Sequence, residues 1–303
     1  MTEIRHLSEA PTGRRPLAPG AGIDAHRHDT HQIAYASRGV ISVTTDAGTW
    51  VAPANRALWV PAGTVHEHRA HGDTDLRLVG LTHNPLGLDR PAVLAVGPLL
   101  RELIIAYTSD PSHDDSDPRR DGRDSQQDAG GSQQDAGHSR RNSGNSQRDG
   151  SDARRGGRDS QERGGDLRRD GGERARLLAV LLDQLKHAPE QPLHLPTARD
   201  PRLAAVCAAL HRDPADPSTL ARLAARAGTS DRTLARLFRA ELGMTFPQWR
   251  TQLRLHHALL LLADGLPVTT VAHRCGWASA SAFIDVFRRA FGYTPGRVRS
   301  TPG

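Results

Sequence analysis

The sequence predicts an α+β protein of two domains: an N-terminal small all-β barrel or sandwich and a C-terminal all-α domain containing two helix-turn-helix units. Three observations predict it. Short β-branched or apolar runs separated by turn residues fill the stretch from Ala21 to Leu81. A helix, glycine turn and helix pattern occurs twice in the last hundred residues. Between these regions lies a polar segment with almost nothing to bury.

The β-rich runs are QIAYASR, GVISVTT, TWVAP, RALWVP and DLRLVGL, broken by Arg38-Gly39, Asp46-Ala47-Gly48, Pro53-Ala54-Asn55 and Pro61-Ala62-Gly63. Strands this short and evenly spaced suit a barrel or sandwich. Asp46-Ala47-Gly48, between two such runs, reads as a hairpin turn. Two helical patterns follow, Pro98 to Tyr107 and Glu173 to Ala188. Proline suits the first turn of a helix. The second pattern places Leu177, Leu178, Leu181, Leu182 and Leu185 on one face, a stripe that must be covered.

From Ser109 to Gly172 the only Leu is Leu167, there is no aromatic residue, and SQQDAG recurs at Ser125 and Ser132. Such a segment cannot offset the entropy of ordering its backbone and is expected to be a disordered insert.

The C-terminal repeat aligns Leu220, Leu223, Ala224 and Gly228 with Val268, Val271, Ala272 and Gly276, then Ser230, Leu234, Phe238 and Gly243 with Ser279, Phe283, Phe287 and Gly292. A period this long marks a duplicated supersecondary unit. Each unit has a short helix, a glycine turn, a serine N-cap and a second helix closed by glycine. Pro247 to Gly265 reads as one continuous helix joining the units. Outward positions of the two second helices are Asp231, Arg232, Ala235, Arg236 and Arg239, and Ala280, Ser281, Ile284, Asp285 and Arg288.

Composition limits the functional classes. The formal net charge is +6, and residues 201–303 hold 14 Arg, no Lys and far fewer carboxylates, while the rest of the chain is close to neutral. That is the footprint of a polyanion-binding segment. Cys207 and Cys275, the only cysteines, stand at buried helix positions without metal or disulfide spacing, as expected in a reducing compartment. No signal peptide is apparent and no apolar run reaches membrane-spanning length, so the sequence predicts a cytoplasmic protein without a membrane partner.

With these motifs in hand, Pro201 to Arg299 resembles the DNA-binding domain of the AraC/XylS family, through LARLAARAGTSDRTLARLFRAELG, the linking helix RLHHALLLL and GWASASAFIDVFRRAFGYTPGRVR. The resemblance spans about a third of the chain. It implies a sequence-specific transcription regulator, activator or repressor, whose partner is double-stranded DNA. In the family, positions matching Arg232, Ala235, Arg236, Ser281 and Ile284 lie toward the major groove. Arginines there can donate two bonds to guanine, and Arg239, Asp285 and Arg288 complete the candidate DNA-binding set.

HRHDTHQ (His26 to Gln32) and PAGTVHEH (Pro61 to His68) resemble the two motifs of the cupin barrel. A His-x-His pair on one strand points both imidazoles to one side. The resemblance makes His26, His28 and His66 candidate ligands for Ni, Zn or Fe, with Gln32 where a Glu is usual and His31 as its possible substitute. A cupin-like barrel ahead of an AraC-type domain implies a sensor for a small-molecule or metal effector. The apolar stripes of the helices at 98–107 and 173–188 can pair between two subunits of a homodimer or equally pack on the barrel. The histidines can equally contact an organic effector without metal, and the competing function is a metal-dependent cupin enzyme joined to a DNA-binding domain. The expected domains are a barrel over 1–97, a helical linker or dimerisation region over 98–200 with the insert 109–172, and a DNA-binding domain over 201–303.

Overall fold

The computed structural model describes residues 4–109, 159–191 and 194–299. The N-terminal part is a sheet of ten strands: β1 (Arg5–Leu7), β2 (Gly13–Leu17), β3 (Gly22–His28), β4 (His31–Thr45), β5 (Gly48–Pro53), β6 (Arg56–Val60), β7 (His66–Leu81), β8 (Ala92–Ala95), β9 (Glu190–Gln191) and β10 (His194–Pro196). Its main order is β1-β3-β7-β4-β6-β8-β9, with β2 on β7, β5 on β4 and β10 on β5. The frame is the antiparallel pair β4 and β7, which run alongside each other from His31↔Leu81 to Thr44↔Glu67.

Two runs expected as separate strands, QIAYASR and GVISVTT, form the single strand β4. Arg38-Gly39 bends it rather than breaking it, because the register with β7 shifts at this point and Gly39 takes φ +80°, as a bulge allows. The Asp46-Ala47 turn does close a hairpin, pairing Thr45 with Gly48. The alternating inward residues Ile41, Val43, Trp50, Ala52, Leu58, Leu76 and Leu78 are buried in one cluster. Residues 190–191 and 194–196 contribute β9 and β10 to the sheet, within a region read from sequence as helical linker.

The helices are α1 (Pro98–Thr108), α2 (Asp159–Lys186), α3 (Pro201–Arg212), α4 (Leu220–Arg226), α5 (Asp231–Leu242), α6 (Phe246–Ala263), α7 (Val268–Arg274), α8 (Ala280–Phe291) and α9 (Gly296–Arg299). α2 starts at Asp159, earlier than the expected Glu173, so residues 159–172 are helical where the insert was expected to be disordered. Propagation from an established helix adds a hydrogen bond per residue ordered, which a weakly apolar sequence can still exploit. The remainder of the expected disordered insert, 110–158, lies outside the described residues. In α2, Leu181 and Leu185 are buried and Val180 is exposed.

The repeated unit is built as its sequence dictates. Ser230 Oγ accepts from Thr233 N at the start of α5, and Ser279 Oγ accepts from Ala282 N at the start of α8. Gly243 and Gly292 close those helices in the left-handed conformation, at φ +67° and +80°. Thr245 and Gln248 form a reciprocal capping box at the start of α6. The first half of α6 places Phe246, Trp249 and Leu253 with Leu234, Leu237 and Phe238 of α5 in one core. Its second half places Leu255, Leu259 and Leu262 with Phe283, Phe287 and Phe291 in another. Cys207 and Cys275 are free and buried in these two cores, and burial pushes both thiols up to about 12.

The second core also contains Val40 and Val51, outward residues of β4 and β5, so the barrel and the C-terminal helices are parts of one compact unit. At Gly72 (φ +65°) a Cβ would collide with the Ala263 carbonyl oxygen, and the Gly72 amide donates to Asp264 Oδ1 at 3.2 Å. Asn55 Nδ2 donates to the Phe291 carbonyl at 3.1 Å. Leu234 is fully buried, so Leu234→Ala is expected to cost about 2–5 kcal/mol, read as a lower urea midpoint at unchanged slope.

Candidate metal centre and nucleic-acid interface

β3 and β7 are antiparallel and pair His26 with His66. The period of two along each strand brings His26 and His28 from one, and His66 and His68 from the other, to the barrel interior, where all four are buried. Ring centroids are 4.3 Å apart for His26 and His66, 5.0 Å for His66 and His68, 5.7 Å for His26 and His68, and 4.9 Å for His28 and His66.

Three of these rings are oriented from behind. The Nδ1 of His26, His28 and His66 lie 2.8, 2.6 and 2.9 Å from the carbonyl oxygens of Asp24, Thr30 and Thr64. A carbonyl can only accept, so each Nδ1 carries the proton and each Nε2 offers a lone pair. Metal-binding histidines are oriented by second hydrogen bonds of this kind. The Nε2 atoms of His28 and His66 and both ring nitrogens of His68 are buried without a partner.

Electrostatics keep the cluster neutral. Burial pushes the His66 imidazole down to about 3, with the positive potential of His26 and His28 adding to it. Burial likewise lowers His26 and His28 and places His68 well below the ordinary imidazole range. Neutral, desolvated imidazoles with open lone pairs are metal ligands in waiting. Ligand atoms of His26, His66 and His68 all lie within 4.8 Å of one another, and this buried triad could hold a metal ion.

His28 falls outside that triad, and His68, which sequence reasoning missed, belongs to it. The signal was present: His66-x-His68 has the same one-strand spacing as His26-x-His28. Gln32 is fully buried beside His28. His31 does not replace it. Strand alternation turns His31 to the other face, where its Nδ1 accepts from Ala62 N at 3.1 Å and its ring stacks on Trp59 at 5.0 Å.

The second site is the outer face of α5 and α8. Leu234, Leu237 and Phe238 point inward, as do Phe283 and Phe287. Arg232, Arg236 and Arg239 are exposed and Ala235 is half-buried. On α8, Ser281, Asp285 and Arg288 are exposed and Ile284 is half-buried. Other arginines of this region have structural partners: Arg202 pairs with Asp200, Arg226 with Asp216, and Arg250 donates to the Ser218 carbonyl. No ion pair is formed by Arg232, Arg236 or Arg239 among the described residues, so these guanidiniums face solvent unmatched.

Residues 14–82 match the cupin domain family and residues 223–301 match a helix-turn-helix domain family. The chain is 28% identical over 275 residues to the HTH-type transcriptional regulator NimR of Escherichia coli, covering 90% of this chain and 80% of NimR. An AraC-like transcription regulator of Streptomyces antibioticus is 36% identical over 128 residues, 42% of each chain. RipA of Corynebacterium glutamicum, another HTH-type transcriptional regulator, is 39% identical over 101 residues, 33% of this chain and 30% of RipA. The chain is an AraC-type DNA-binding transcription regulator with a cupin domain.

Its N-terminal cupin domain and C-terminal reader are therefore a sensor and a DNA-binding domain in one regulator, and its relatives are regulators rather than enzymes. No helix among the described residues is long and apolar enough to cross a membrane. The serine caps set the start of α5 and α8. Ser230→Ala and Ser279→Ala are each expected to lower stability by about 0.5–2 kcal/mol, measured by chemical denaturation, with the corresponding glycine variants losing only a few tenths.

Proposed function

We propose that this regulator reads its operator mainly through α5 and responds to an effector held in the cupin barrel. The observation that carries the first part is the unmatched row of Arg232, Arg236 and Arg239 on α5. With Ala235 between them, that face can approach base edges closely while the arginines donate to guanine or phosphate. Ser281, Ile284, Asp285 and Arg288 give α8 shorter readers. The observation that carries the second part is the packing of Val40 and Val51 against α6, the helix that joins the two units. A change in the barrel therefore bears directly on the element that spaces them.

Within the barrel, the donor set suits Ni, Zn or Fe, held by His26, His66 and His68 with His28 alongside. A bound divalent ion would supply a fixed positive coordination point for an effector. The protein's contribution is the carbonyl-oriented imidazoles and a dry, uncharged surrounding. Leu99 and Val180 are exposed apolar residues on α1 and α2, which supports homodimerisation through the 98–200 region between a barrel at 1–97 and a reader at 201–303. A DNA partner goes with a cytoplasmic location.

Arg236→Ala is expected to cost about 1–3 kcal/mol at the cognate site and to relax preference at one base pair. Uniform weakening on all sequences, with the salt slope lower by about one, would instead make Arg236 a phosphate contact. For the barrel, metal analysis after gentle purification is expected to find near-stoichiometric divalent metal, lost in a His26→Ala/His66→Ala double variant. Substoichiometric metal in both proteins overturns the metal reading. Loss of an organic effector response in the double variant would then reassign the histidines as effector contacts.

A further inference from the structure

A second cluster of histidines lies outside the barrel, in the seam where β7 faces α6. Inward residues of β7 are His66 and His68; the residues between and after them, Glu67, Arg69 and His71, face the other way. Opposite them stand His256 and His257 of α6 and His211 of α3, around a cleft of about 270 Å³ that also has hydroxyls from β4 and β5 on its wall. Ring centroids are 5.8 Å apart for His211 and His257 and 6.0 Å for His256 and His257. His71 Nε2 lies 2.9 Å from Ser42 Oγ.

Both ring nitrogens of His256 and the Nε2 of His257 are buried without a hydrogen-bond partner. A neutral imidazole always has one donor and one acceptor, so the closed seam leaves at least one donor of His256 unmet, a cost it would not bear in water. The charged groups around the two rings do not repair this. Glu67 and Arg69 line the same cleft with opposite charges. Asp264 is engaged with the Gly72 amide, and His194 of β10 stacks on Trp50. No carboxylate forms an ion pair with His256 or His257 among the described residues.

We propose that the seam between the barrel and α6 is a proton-operated latch, closed while His256 and His257 are neutral and released when they take up protons. Burial pushes His256 down to about 3, with His257, His211 and His71 adding to it, and pushes His257 down to about 4, with His211 adding to it. Once the seam opens, both rings return to the ordinary range near 6.5. Docking is therefore complete above that value and is lost as the pH falls below it, toward the closed-state values. At pH 5.5 a solvated imidazole is protonated about ten times more often than not. Each histidine then multiplies the open population about tenfold, and the two together about a hundredfold.

The consequence for the regulator follows from what the seam holds. Val51 of β5 sits against Leu255 and Leu259 of α6, so release frees the helix that joins the two reading units from the barrel. Acidification thereby acts on the reader independently of whatever the barrel interior binds.

Thiol labelling of the full-length Val51→Cys protein, after chelator treatment, tests this. Val51 is only 3% exposed, and in an open seam it would face water. Corrected for thiolate fraction, the labelling rate at this position is expected to rise about a hundredfold from pH 7.5 to 5.5, while Cys207 and Cys275, buried in the helical cores, stay unlabelled. Adding His257→Gln should reduce the rise to about tenfold, and His256→Gln/His257→Gln should reduce it to less than about threefold. An unchanged rate in the Val51→Cys protein, a rise as large in the glutamine variants, or labelling of Cys207 and Cys275 together with the introduced thiol would each overturn the latch. Because the protein is stripped of metal throughout, loss of an ion from the barrel cannot produce or hide the effect.

Discussion

The burial of α6 is the interaction on which the other parts depend. Its first half completes the core of one helix-turn-helix unit through Trp249 and Leu253, and its second half completes the other through Leu255, Leu259 and Leu262. Each unit thus takes part of its core from α6. The same second half meets Val40 and Val51 of the barrel. One 18-residue helix thus serves three packing surfaces, and a displacement at any of them is felt by the other two because close-packed interiors transmit strain.

The barrel contributes to this arrangement through the two faces of one strand. β7 carries His66 and His68 inward to the metal-capable cluster and Glu67, Arg69 and His71 outward to the seam. A period of two makes this unavoidable. It also means that a rearrangement around an effector inside the barrel and a change of protonation in the seam act on the same stretch of backbone from opposite sides. The two histidine clusters share one electrostatic condition, since burial keeps both neutral. They differ in what opens them: the first has lone pairs converging within 4.8 Å, whereas the second has its nitrogens scattered around a polar cleft.

The arginines of the C-terminal helices fall into two groups by their partners. Arg202, Arg226 and Arg250 are held by carboxylates or a carbonyl and reinforce the helical frame. Arg232, Arg236 and Arg239 are left unmatched on one face of α5. A cationic surface kept free of internal partners can exchange its counterions for phosphates without first breaking an ion pair.

Local chemistry was legible in the sequence wherever one element decides it. The serine caps, the glycine stops, the inward Leu234–Phe238 and Phe283–Phe287 faces, the Asp46-Ala47 turn and the two buried cysteines follow from periodicity and propensity, and they occur where the residues require. The duplicated unit was legible because a repeat reports its own boundaries. What the sequence could not decide were the relations between distant segments. That Arg38-Gly39 bends β4 instead of ending it depends on its pairing with β7. That β9 and β10 join the sheet depends on β8 and β5 offering open edges. His68 was written in the same spacing as His26 and His28, yet only the β3–β7 register brings it into the triad while His28 stays beside it. The seam histidines carry no motif at all: His211, His256 and His257 acquire their shared, desolvated environment only when the barrel closes over α6, because burial is a property of the assembled surfaces and not of any one strand or helix.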